Sequence, residues 1–438
     1  MSDTIAGLYR SHHAELTQRH TAALNAAGYD WVIIYSGQAH SQFLDDNHCP
    51  FRANPHFKTW VPLPDHQGGA VVANTDGKCR LVFMQPEDYW HTPPADPQGY
   101  WPELFDLQTV RNEEQAIKAL SGLTGRGALI ADHTLPAGMA KLGDLNPASL
   151  IDQLHFDRAC KTAYEVECMR RANAIAVRGH RAAETAFRAG ASEFEIHMAY
   201  CHACGQTSDQ LPYNNIVALN GHGAILHYGQ YEHVKESPRA FLIDAGASYN
   251  GYASDITRTY SAAADSFADL IASLDQAQQS LCESAGSGVD YVELHLQANS
   301  LLAEVLIEHG VIRCSADAAL EAGIMSAFYP HGLGHYIGAQ VHDVGGHQAA
   351  ADGSQRPPPP EHPFLRLTRT LTPGAVCTIE PGIYFIDMLL DKLRATPAKK
   401  EIDWDRIASF MPFGGARVED DIHITASGHE NLTRDQFA

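Results

Sequence analysis

Apolar positions in the first third of the chain alternate between helical and strand spacing. In order, this pattern predicts a helix over 5–27, a strand in DWVIIYSG (30–37), a hairpin in GAVVANTDGKCRLVFMQ (69–85), an amphipathic helix over 110–123 and a strand over 127–134. Asp76-Gly77 supplies the turn of the hairpin. Helices and strands that alternate in this way predict a separate α/β domain, which we assign to residues 1–158.

The remaining residues, 159–438, interleave helix and strand patterns without regular βαβ units, so we expect an α+β domain. The predicted helices span 162–190, with Gly190 as the stop, 266–285 and 290–310, and the predicted strands lie near 215–219, 240–246, 255–260, 374–380 and 415–424. The proline-rich segment 356–364 predicts an extended loop, either a spacer or a lid beside a site. Residues 387–407 predict a helical or loop insertion between the last two strands.

Composition and charge limit the classes of function. Hydrophobic residues make up 45% of the 438 residues and charged residues 19%, which is typical of a soluble globular protein. The net charge of −21 argues against nucleic acid and anionic membranes as partners. No apolar run approaches the roughly 20 residues of a membrane span, and no signal peptide is visible. Nine scattered cysteines favour reduced thiols, so we expect a cytoplasmic protein.

Two aspartates flank the strongest turn signal in the chain. In FLIDAGASYNGYASDITRTY (241–260), Asn250-Gly251 predicts a hairpin turn whose register places Asp244 opposite Thr257 and Asp255 opposite Gly246. Both carboxylates then point to the same side of the hairpin. Two buried anions on one face need a cation, which a divalent metal supplies. Exposed turn aspartates, or one aspartate paired with Arg258, are the alternatives.

Two glutamates and a histidine-rich loop add further ligand candidates. Glu380 ends an apolar strand, Glu419 lies inside another, and YPHGLGHYIGAQVHDVGGHQ (329–348) brackets its histidines with glycine. Taken alone, either glutamate could instead be a solvent-exposed residue at the end of a strand. Four carboxylates with one imidazole suit Mn²⁺ or Co²⁺, with Zn²⁺ as a further candidate. Because one ion does not need so many carboxylates, we expect two metals about 3.5–4 Å apart.

Six motifs, in this order, carry a resemblance to a known family: LPYNNIVALN, LHYG, IDAGA…SDITRT, PHGLGHYIGAQVHDVGG, TIEPGIYF and RVEDD. Together they resemble the pita-bread metallopeptidases (creatinase/aminopeptidase-like), and among these the bacterial prolidases, which are Xaa-Pro dipeptidases. The resemblance implies a pita-bread catalytic domain over 159–438 that follows a smaller N-terminal α/β domain along the chain. It also implies a set of five metal ligands: Asp244, Asp255, His335, Glu380 and Glu419. His335 is chosen over His331 because the family's ligand lies seven residues before the histidine that matches His342.

The same resemblance implies roles for individual residues. Asp255 and Glu419 would bridge the two ions, and Glu380 would also shuttle a proton. His331 and His342 would donate hydrogen bonds to the substrate or to the tetrahedral intermediate.

The implied substrate contacts are less specific. His227 would lie near the substrate amine, or else be a core or surface histidine. Arg366, fourteen residues before Glu380, would bind the C-terminal carboxylate of the substrate, or else be a solvated surface arginine. Tyr213 would line the substrate pocket, or else belong to the core. Arg417 would lie on the same strand face as Glu419, on the substrate side, and support the metal ligands.

The function that follows is hydrolysis of Xaa-Pro dipeptides by a hydroxide that bridges two divalent ions, with Mn²⁺ expected. An aminopeptidase acting on longer Xaa-Pro peptides is the nearest rival. Metal-free relatives, such as creatine amidinohydrolases or protein-binding modules, are disfavoured because all five ligand positions are kept. The resemblance adds a side activity on organophosphorus triesters and, because the family is usually dimeric, a homodimer.

Overall fold

The computed structural model describes residues 4–132 and 135–438, so positions 133–134 of the predicted strand 127–134 lie outside the described residues. The chain forms two compact units. The first contains the described residues up to Cys168 with Asn250–Tyr252 and Gln348–Gln355, and the second contains Met169–Tyr249, Ala253–His347 and Arg356–Ala438. Among the described residues, no helix has the length and apolar character needed to cross a membrane.

The first unit is built on one mixed sheet. Its elements are α1 (Ile5–Ala27), β1 (Trp31–Tyr35), α2 (Pro55–Trp60), β2 (Ala70–Asn74), β3 (Cys79–Met84), β4 (Asp106–Val110), α3 (Glu113–Leu120), β5 (Gly127–Ile130), β6 (Asp144–Leu145) and α4 (Ala148–Arg158). The sheet order is β4-β3-β2-β1-β5-β6. The predicted hairpin is confirmed as the antiparallel pair β2–β3, and Gly77 adopts the positive φ of 78° that its turn requires. The predicted α/β pattern of this part of the chain is therefore confirmed.

The second unit combines helices with small antiparallel sheets. Its helices are α5 (Ala163–Arg188, which begins in the first unit), α6 (Glu193–Cys204), α7 (Ser266–Ser284), α8 (Tyr291–Glu308), α9 (Ala316–Glu321), α10 (Asp387–Arg394), α11 (Trp404–Phe410) and α12 (Arg434–Phe437). Its strands are β7 (Ile216–Leu219), β8 (Ala240–Asp244), β9 (Ser248–Tyr249), β10 (Tyr252–Ala253), β11 (Thr257–Ser261), β12 (Val376–Ile379), β13 (Gly382–Tyr384), β14 (Gly415–Arg417), β15 (Asp420–Thr425) and β16 (Gly428–Asn431). The expected α+β class is confirmed, and the insertion over 387–407 is helical.

The predicted hairpin register is observed for Asp244, whereas Asp255, predicted to pair with Gly246, lies outside the β8–β11 ladder. β8 pairs with β11 so that Asp244 faces Thr257. Asn250 and Gly251 have positive φ angles of 50° and 86°, as a tight hairpin turn requires. The ladder opens around Asp255, which lies just before β11 in an irregular stretch.

One sequence prediction needs correction, because the strand expected over 415–424 is two strands. β14 pairs with β13, whereas β15 pairs with β12, so the chain changes sheets at Val418 and Glu419. At this change the N–H of Glu419 bonds to the carbonyl of Thr257, a residue of a third sheet (3.1 Å). The segment that pairs with β14 and β15 is interrupted in the same way. Its strands β12 and β13 are separated by Glu380 and Pro381. The two glutamates are therefore brought together by matching breaks in two strands.

All nine cysteines are free thiols, and six of them are buried. Cys201 and Cys204, the CxxC of the sequence, are buried side chains of α6 that pack in an apolar cluster with Val217 and Phe241. Burial raises the pKa of both thiols. These cysteines are therefore core residues in this fold.

Candidate metal centre

Asp244 and Asp255 face the same side of the hairpin and share one neighbour. The hydroxyl of Tyr213 lies 2.7 Å from Oδ1 of Asp244 and 2.5 Å from Oδ1 of Asp255. Its single proton can serve only one of these oxygens at a time. The carboxylate pair is therefore held close together and is only partly compensated by this hydroxyl.

His335 reaches the same place because its loop lies directly against β12. Three hydrogen bonds join the two segments: Thr378 N–H to the His335 carbonyl (3.0 Å), His335 N–H to the Thr378 side-chain Oγ1 (3.2 Å) and Glu380 N–H to the Leu333 carbonyl (2.8 Å). A Cβ on Gly334 would collide with the Thr378 carbonyl, so this approach requires glycine. The same contacts fix Glu380 beside His335.

The imidazole of His335 presents a lone pair to carboxylates. Nδ1 lies 2.9 Å from the Tyr336 carbonyl, which can only accept, so Nδ1 carries the proton of the neutral ring. Nε2 then faces Oδ2 of Asp255 at 3.5 Å and Oε1 of Glu380 at 3.8 Å without a proton to offer. A nitrogen acceptor that faces two anions at these distances fits a cation between them.

Glu419 completes the group from the break between β14 and β15. Its Oε2 accepts a hydrogen bond from Oγ1 of Thr257 at 2.6 Å, and its side chain is buried. Ligand atoms of Asp255, His335 and Glu419 all lie within 4.8 Å of one another. Asp244 and Glu380 lie at the edge of this triad.

Burial and mutual repulsion change the acidity of the site. Desolvation, followed by repulsion from Asp244, raises the pKa of Asp255 well above its usual range, and desolvation with repulsion from Asp255 does the same for Glu419. Desolvation raises the pKa of Glu380 to about 7, against the opposing attraction of Arg417. Desolvation lowers the pKa of His335 to about 3. Oxygen-rich ligands with one neutral imidazole and excess buried negative charge fit divalent cations of the Mn²⁺, Co²⁺ or Zn²⁺ type.

Arg417 is buried and uses each of its nitrogens within this group. Nη2 donates to Oδ2 of Asp244 (2.7 Å), Nη1 to the Tyr384 hydroxyl (2.6 Å) and Nε to Oγ1 of Thr257 (3.1 Å). Arg417 therefore holds together three elements that surround the carboxylates. Tyr384 and the role of Thr257 were not predicted from the sequence, although Tyr384 follows Glu380 by four residues and Thr257 faces Asp244 in the predicted register.

His331 and His342, the two other loop histidines predicted to contact substrate, differ in their surroundings. Both ring nitrogens of His331 are engaged, Nδ1 with the Gly332 carbonyl (2.8 Å) and Nε2 with the Tyr384 hydroxyl (2.9 Å). The ring of His342 packs edge-on against that of His335 with centroids 4.3 Å apart. Within the described ranges, the nitrogens of His342 have no hydrogen-bond partner. His227 is exposed and lies close enough to His331 and His342 to lower the pKa of each.

Arg366 lies exposed at the edge of the centre. Its charge lowers the pKa of His335 and His342 and opposes the rise for Glu380, so it lies within electrostatic range of all three. Its guanidinium makes no hydrogen bond or ion pair with any residue that the structure describes. Arg366 thus differs from Arg417 in being a free cation beside a carboxylate-rich site.

Comparisons with known proteins identify the family. Residues 7–156 match the N-terminal domain of Xaa-Pro dipeptidases, and residues 167–426 match metallopeptidase family M24. The chain belongs to metallopeptidase family M24. It is 48% identical to the Xaa-Pro dipeptidase of Xanthomonas campestris pv. campestris strain B100 over 99% of both chains. It is 46% identical to the Xaa-Pro dipeptidase of Stenotrophomonas maltophilia strain K279a over 98% of this chain and 97% of that one.

Solved structures with the same fold are known. A zinc-substituted Escherichia coli aminopeptidase P in complex with product matches with a TM-score of 0.71 and 22% identity, over 96% of this chain and 95% of that one. The proline aminopeptidase P II of Yersinia pestis matches with a TM-score of 0.70, also at 22% identity, over 96% of both chains. The pita-bread fold and the resemblance to the bacterial prolidases are thereby confirmed. Membership of M24 also implies divalent metal ions.

Proposed function

We propose that this M24 metallopeptidase hydrolyses Xaa-Pro dipeptides with two divalent cations held by Asp244, Asp255, His335, Glu380 and Glu419. The observation that carries the proposal is the lone pair of His335 Nε2 facing the carboxylates of Asp255 and Glu380 at 3.5 and 3.8 Å. Such an arrangement is expensive to bury unless cations occupy it. Bound there, divalent ions would acidify water and polarise the scissile carbonyl.

Glu380 is suited to move the proton of the reaction. Its carboxylate lies at the edge of the ligand group, with Oε1 3.8 Å from Nε2 of His335, where it can exchange a proton with a water held at the centre. The leaving nitrogen of an Xaa-Pro bond carries no hydrogen of its own, so it must receive one. We propose that Glu380 takes a proton from water and delivers it to that nitrogen.

Histidines on the substrate side would orient the peptide. We propose that His342, whose ring nitrogens are available, donates a hydrogen bond to the substrate. His331 would do so through Nδ1, after giving up its hydrogen bond to the Gly332 carbonyl (2.8 Å), because Nε2 accepts from the Tyr384 hydroxyl. Exposed His227 is assigned to the substrate amine. Tyr213 would form the pocket wall next to the two aspartates, and Arg417 would act on the substrate through Asp244 and Tyr384.

Dipeptides, rather than longer peptides, are proposed because of Arg366. A free guanidinium at the edge of the centre can form a bidentate pair with the C-terminal carboxylate of a dipeptide. A longer peptide would present an uncharged amide at that position and lose this pairing. The nearest rival function, an aminopeptidase for longer Xaa-Pro peptides, does not require an unpaired cation at this edge of the centre.

Several further properties belong to the same proposal. Mn²⁺ is proposed as the metal because the ligands are mainly carboxylates. Free thiols support a reducing cytoplasm. We also propose a homodimer, a domain boundary between residues 158 and 159, and a side activity on organophosphorus triesters, whose tetrahedral phosphorus resembles the transition state of peptide cleavage.

The test combines metal content with substrate length. The purified protein is stripped with a chelator, reloaded with Mn²⁺, and assayed on Ala-Pro, Ala-Pro-amide and Ala-Pro-Ala. We expect activity to vanish on stripping, to return with two equivalents of metal, and to be much higher on Ala-Pro than on the other substrates. Full activity after exhaustive removal of metal, or saturation at one equivalent, would contradict the dinuclear site. Equal cleavage of the three peptides would contradict the dipeptide preference.

A further inference from the structure

A buried hydrogen-bond network contacts the main chain of Asp255. Oδ2 of Asp421, on β15, accepts the main-chain N–H of Asp255 at 3.1 Å and Nδ2 of Asn173, on α5, at 2.8 Å. Asp421 and Asn173 are fully buried. A carboxylate that is neither a proposed ligand nor exposed to substrate therefore contacts the main chain of a proposed ligand.

The network fixes the orientation of the Asp421 carboxylate. Oδ1 of Asn173 accepts from Oγ1 of Thr433 at 2.6 Å, and Oγ1 of Thr433 in turn accepts the N–H of Asp421 at 2.9 Å. These bonds close a ring through Asp421, Asn173 and Thr433. Rotation of the carboxyl group would break at least one hydrogen bond in a dry environment, where a lost bond is costly.

Asp255 needs such a support more than the other proposed carboxylate ligands do. Asp244 lies inside the β8–β11 ladder, and the N–H groups of Glu419 and Glu380 bond to carbonyls of neighbouring segments. Asp255 lies where the ladder is open, and its N–H bonds to the Asp421 side chain instead. The position of the Asp255 carboxylate therefore depends on a side chain that can be mutated.

We propose that Asp421 is a positioning residue for the hydrolytic reaction, because it accepts the N–H of Asp255 and so holds the Asp255 carboxylate at the metal centre. This inference rests on the proposed function in that Asp255 binds a cation. Groups that orient metal ligands typically contribute 10–100-fold to metal affinity or activity. Asp421 acts on the ligand through the main chain, and the neighbouring Asp420 has a different task, pairing with Arg258 (2.6 Å) and Arg434 (2.9 Å).

Three variants test the inference: Asp421→Ala, Asp421→Asn and, as a control, Asp265→Ala. Asp265 caps α7 by accepting the N–H groups of Phe267 and Ala268 (3.1 and 3.0 Å), so its loss destabilises a helix without touching a ligand. Co²⁺ affinity by calorimetry, the visible spectrum of bound Co²⁺ and kcat on Ala-Pro are measured on each folded protein. The Co²⁺ spectrum reports ligand geometry and does not depend on turnover.

We expect Asp421→Ala to weaken Co²⁺ binding about 10–100-fold and to change the spectrum. Asp421→Asn keeps an acceptor oxygen and should retain affinity within about threefold of wild type. Asp265→Ala should match wild type in affinity and spectrum. Equal affinity and spectra for Asp421→Ala and wild type would overturn the inference, as would an equal loss in the Ala and Asn variants.

If Asp421→Ala does not fold, Asn173→Ala replaces it. That change removes the bond that aims the Asp421 carboxylate and should weaken Co²⁺ binding severalfold; unchanged binding would overturn the inference. The wild-type measurement separates this inference from the proposed function. Wild type that binds no Co²⁺ contradicts the metal centre itself, whereas normal wild-type binding with unaffected variants contradicts only the role of Asp421.

Discussion

Arg417 donates a hydrogen bond from Nη2 to Oδ2 of Asp244 at 2.7 Å, and the arginine side chain is only 5% exposed. Removal of one partner of a buried ion pair leaves the other charge uncompensated, typically at a cost of about 3–5 kcal/mol. Asp244 would also lose the contact that orients it. The pair therefore links the stability of the second unit to the geometry of the proposed centre.

We predict that Arg417→Ala lowers the free energy of unfolding of the metal-free protein by about 3 kcal/mol. Urea unfolding of the stripped protein measures this change. Arg366→Ala is the matched control, because the same substitution at an exposed, unpaired arginine should change stability by no more than about 0.5 kcal/mol. Equal losses in both variants would mean that the pair with Asp244 contributes nothing beyond a surface arginine.

Tyr213→Phe is predicted to destabilise the metal-free protein more than the metal-loaded protein. Without cations, the hydroxyl is a hydrogen-bond donor shared by Asp244 and Asp255, and loss of a bond to a charged group costs about 1.5–3 kcal/mol. Bound cations would take over that compensation. Unfolding midpoints of wild type and variant, each measured with and without Mn²⁺, give the comparison.

Tyr228→Phe provides the matched control for this experiment. The hydroxyl of Tyr228 donates to Oε2 of Glu193 at 2.8 Å, a buried carboxylate outside the proposed centre. Its loss should destabilise the protein to the same extent with and without Mn²⁺. A Tyr213→Phe effect that is likewise independent of metal would show that the hydroxyl does not compensate charge at a cation site.

The sequence predicted the parts of the centre that depend on local rules. Asn250-Gly251 predicts a hairpin register that is observed where Asp244 faces Thr257, and Asp255, just outside that ladder, shares the Tyr213 hydroxyl with Asp244. The family pattern identified His335, Glu380 and Glu419 without locating them in space. Their approach depends on long-range main-chain contacts, such as Thr378 N–H with the His335 carbonyl (3.0 Å), which no local pattern encodes.

The change of sheet at Glu419 was missed for a related reason. Apolar residues alternate over 415–424 with a single interruption at Asp420. This pattern predicts one strand and does not show that the hydrogen-bond partner changes from β13 to β12. The contacts of Tyr384 and Asp421 were missed because both residues act on other side chains or on main chain that is distant in sequence. Such contacts become visible only when the strands are placed.

Arg366→Ala is predicted to raise KM for Ala-Pro by about 10–100-fold, the range expected for a lost charge-assisted hydrogen bond. The same substitution should have little effect on Ala-Pro-amide, because that substrate has no C-terminal carboxylate. Steady-state kinetics on both substrates at saturating Mn²⁺ give the ratio. Comparable increases in KM for the acid and the amide would remove Arg366 from carboxylate recognition.

A last prediction concerns pH and the first unit, away from the centre. His66 is 4% exposed and stacks on Phe83 with ring centroids 4.2 Å apart. Burial lowers its pKa from 6.5 to about 4. Between these values the unfolded chain binds a proton at His66 that the folded protein does not. The stabilisation is therefore complete above pH 6.5 and is lost as the pH falls toward 4, by about 3 kcal/mol in total.

His66→Leu should remove this part of the pH dependence. We expect the slope of unfolding free energy against pH, measured by urea unfolding between pH 4 and 6.5, to fall by up to one proton equivalent relative to wild type. Other buried histidines with lowered pKa, such as His20 and His180, should keep the remaining slope positive. The exposed His48→Leu is the control, because its ring is solvated in both states and its loss should leave the slope unchanged. Identical slopes for His66→Leu and wild type would mean that the ring of His66 is protonated to the same extent in the folded and unfolded chains.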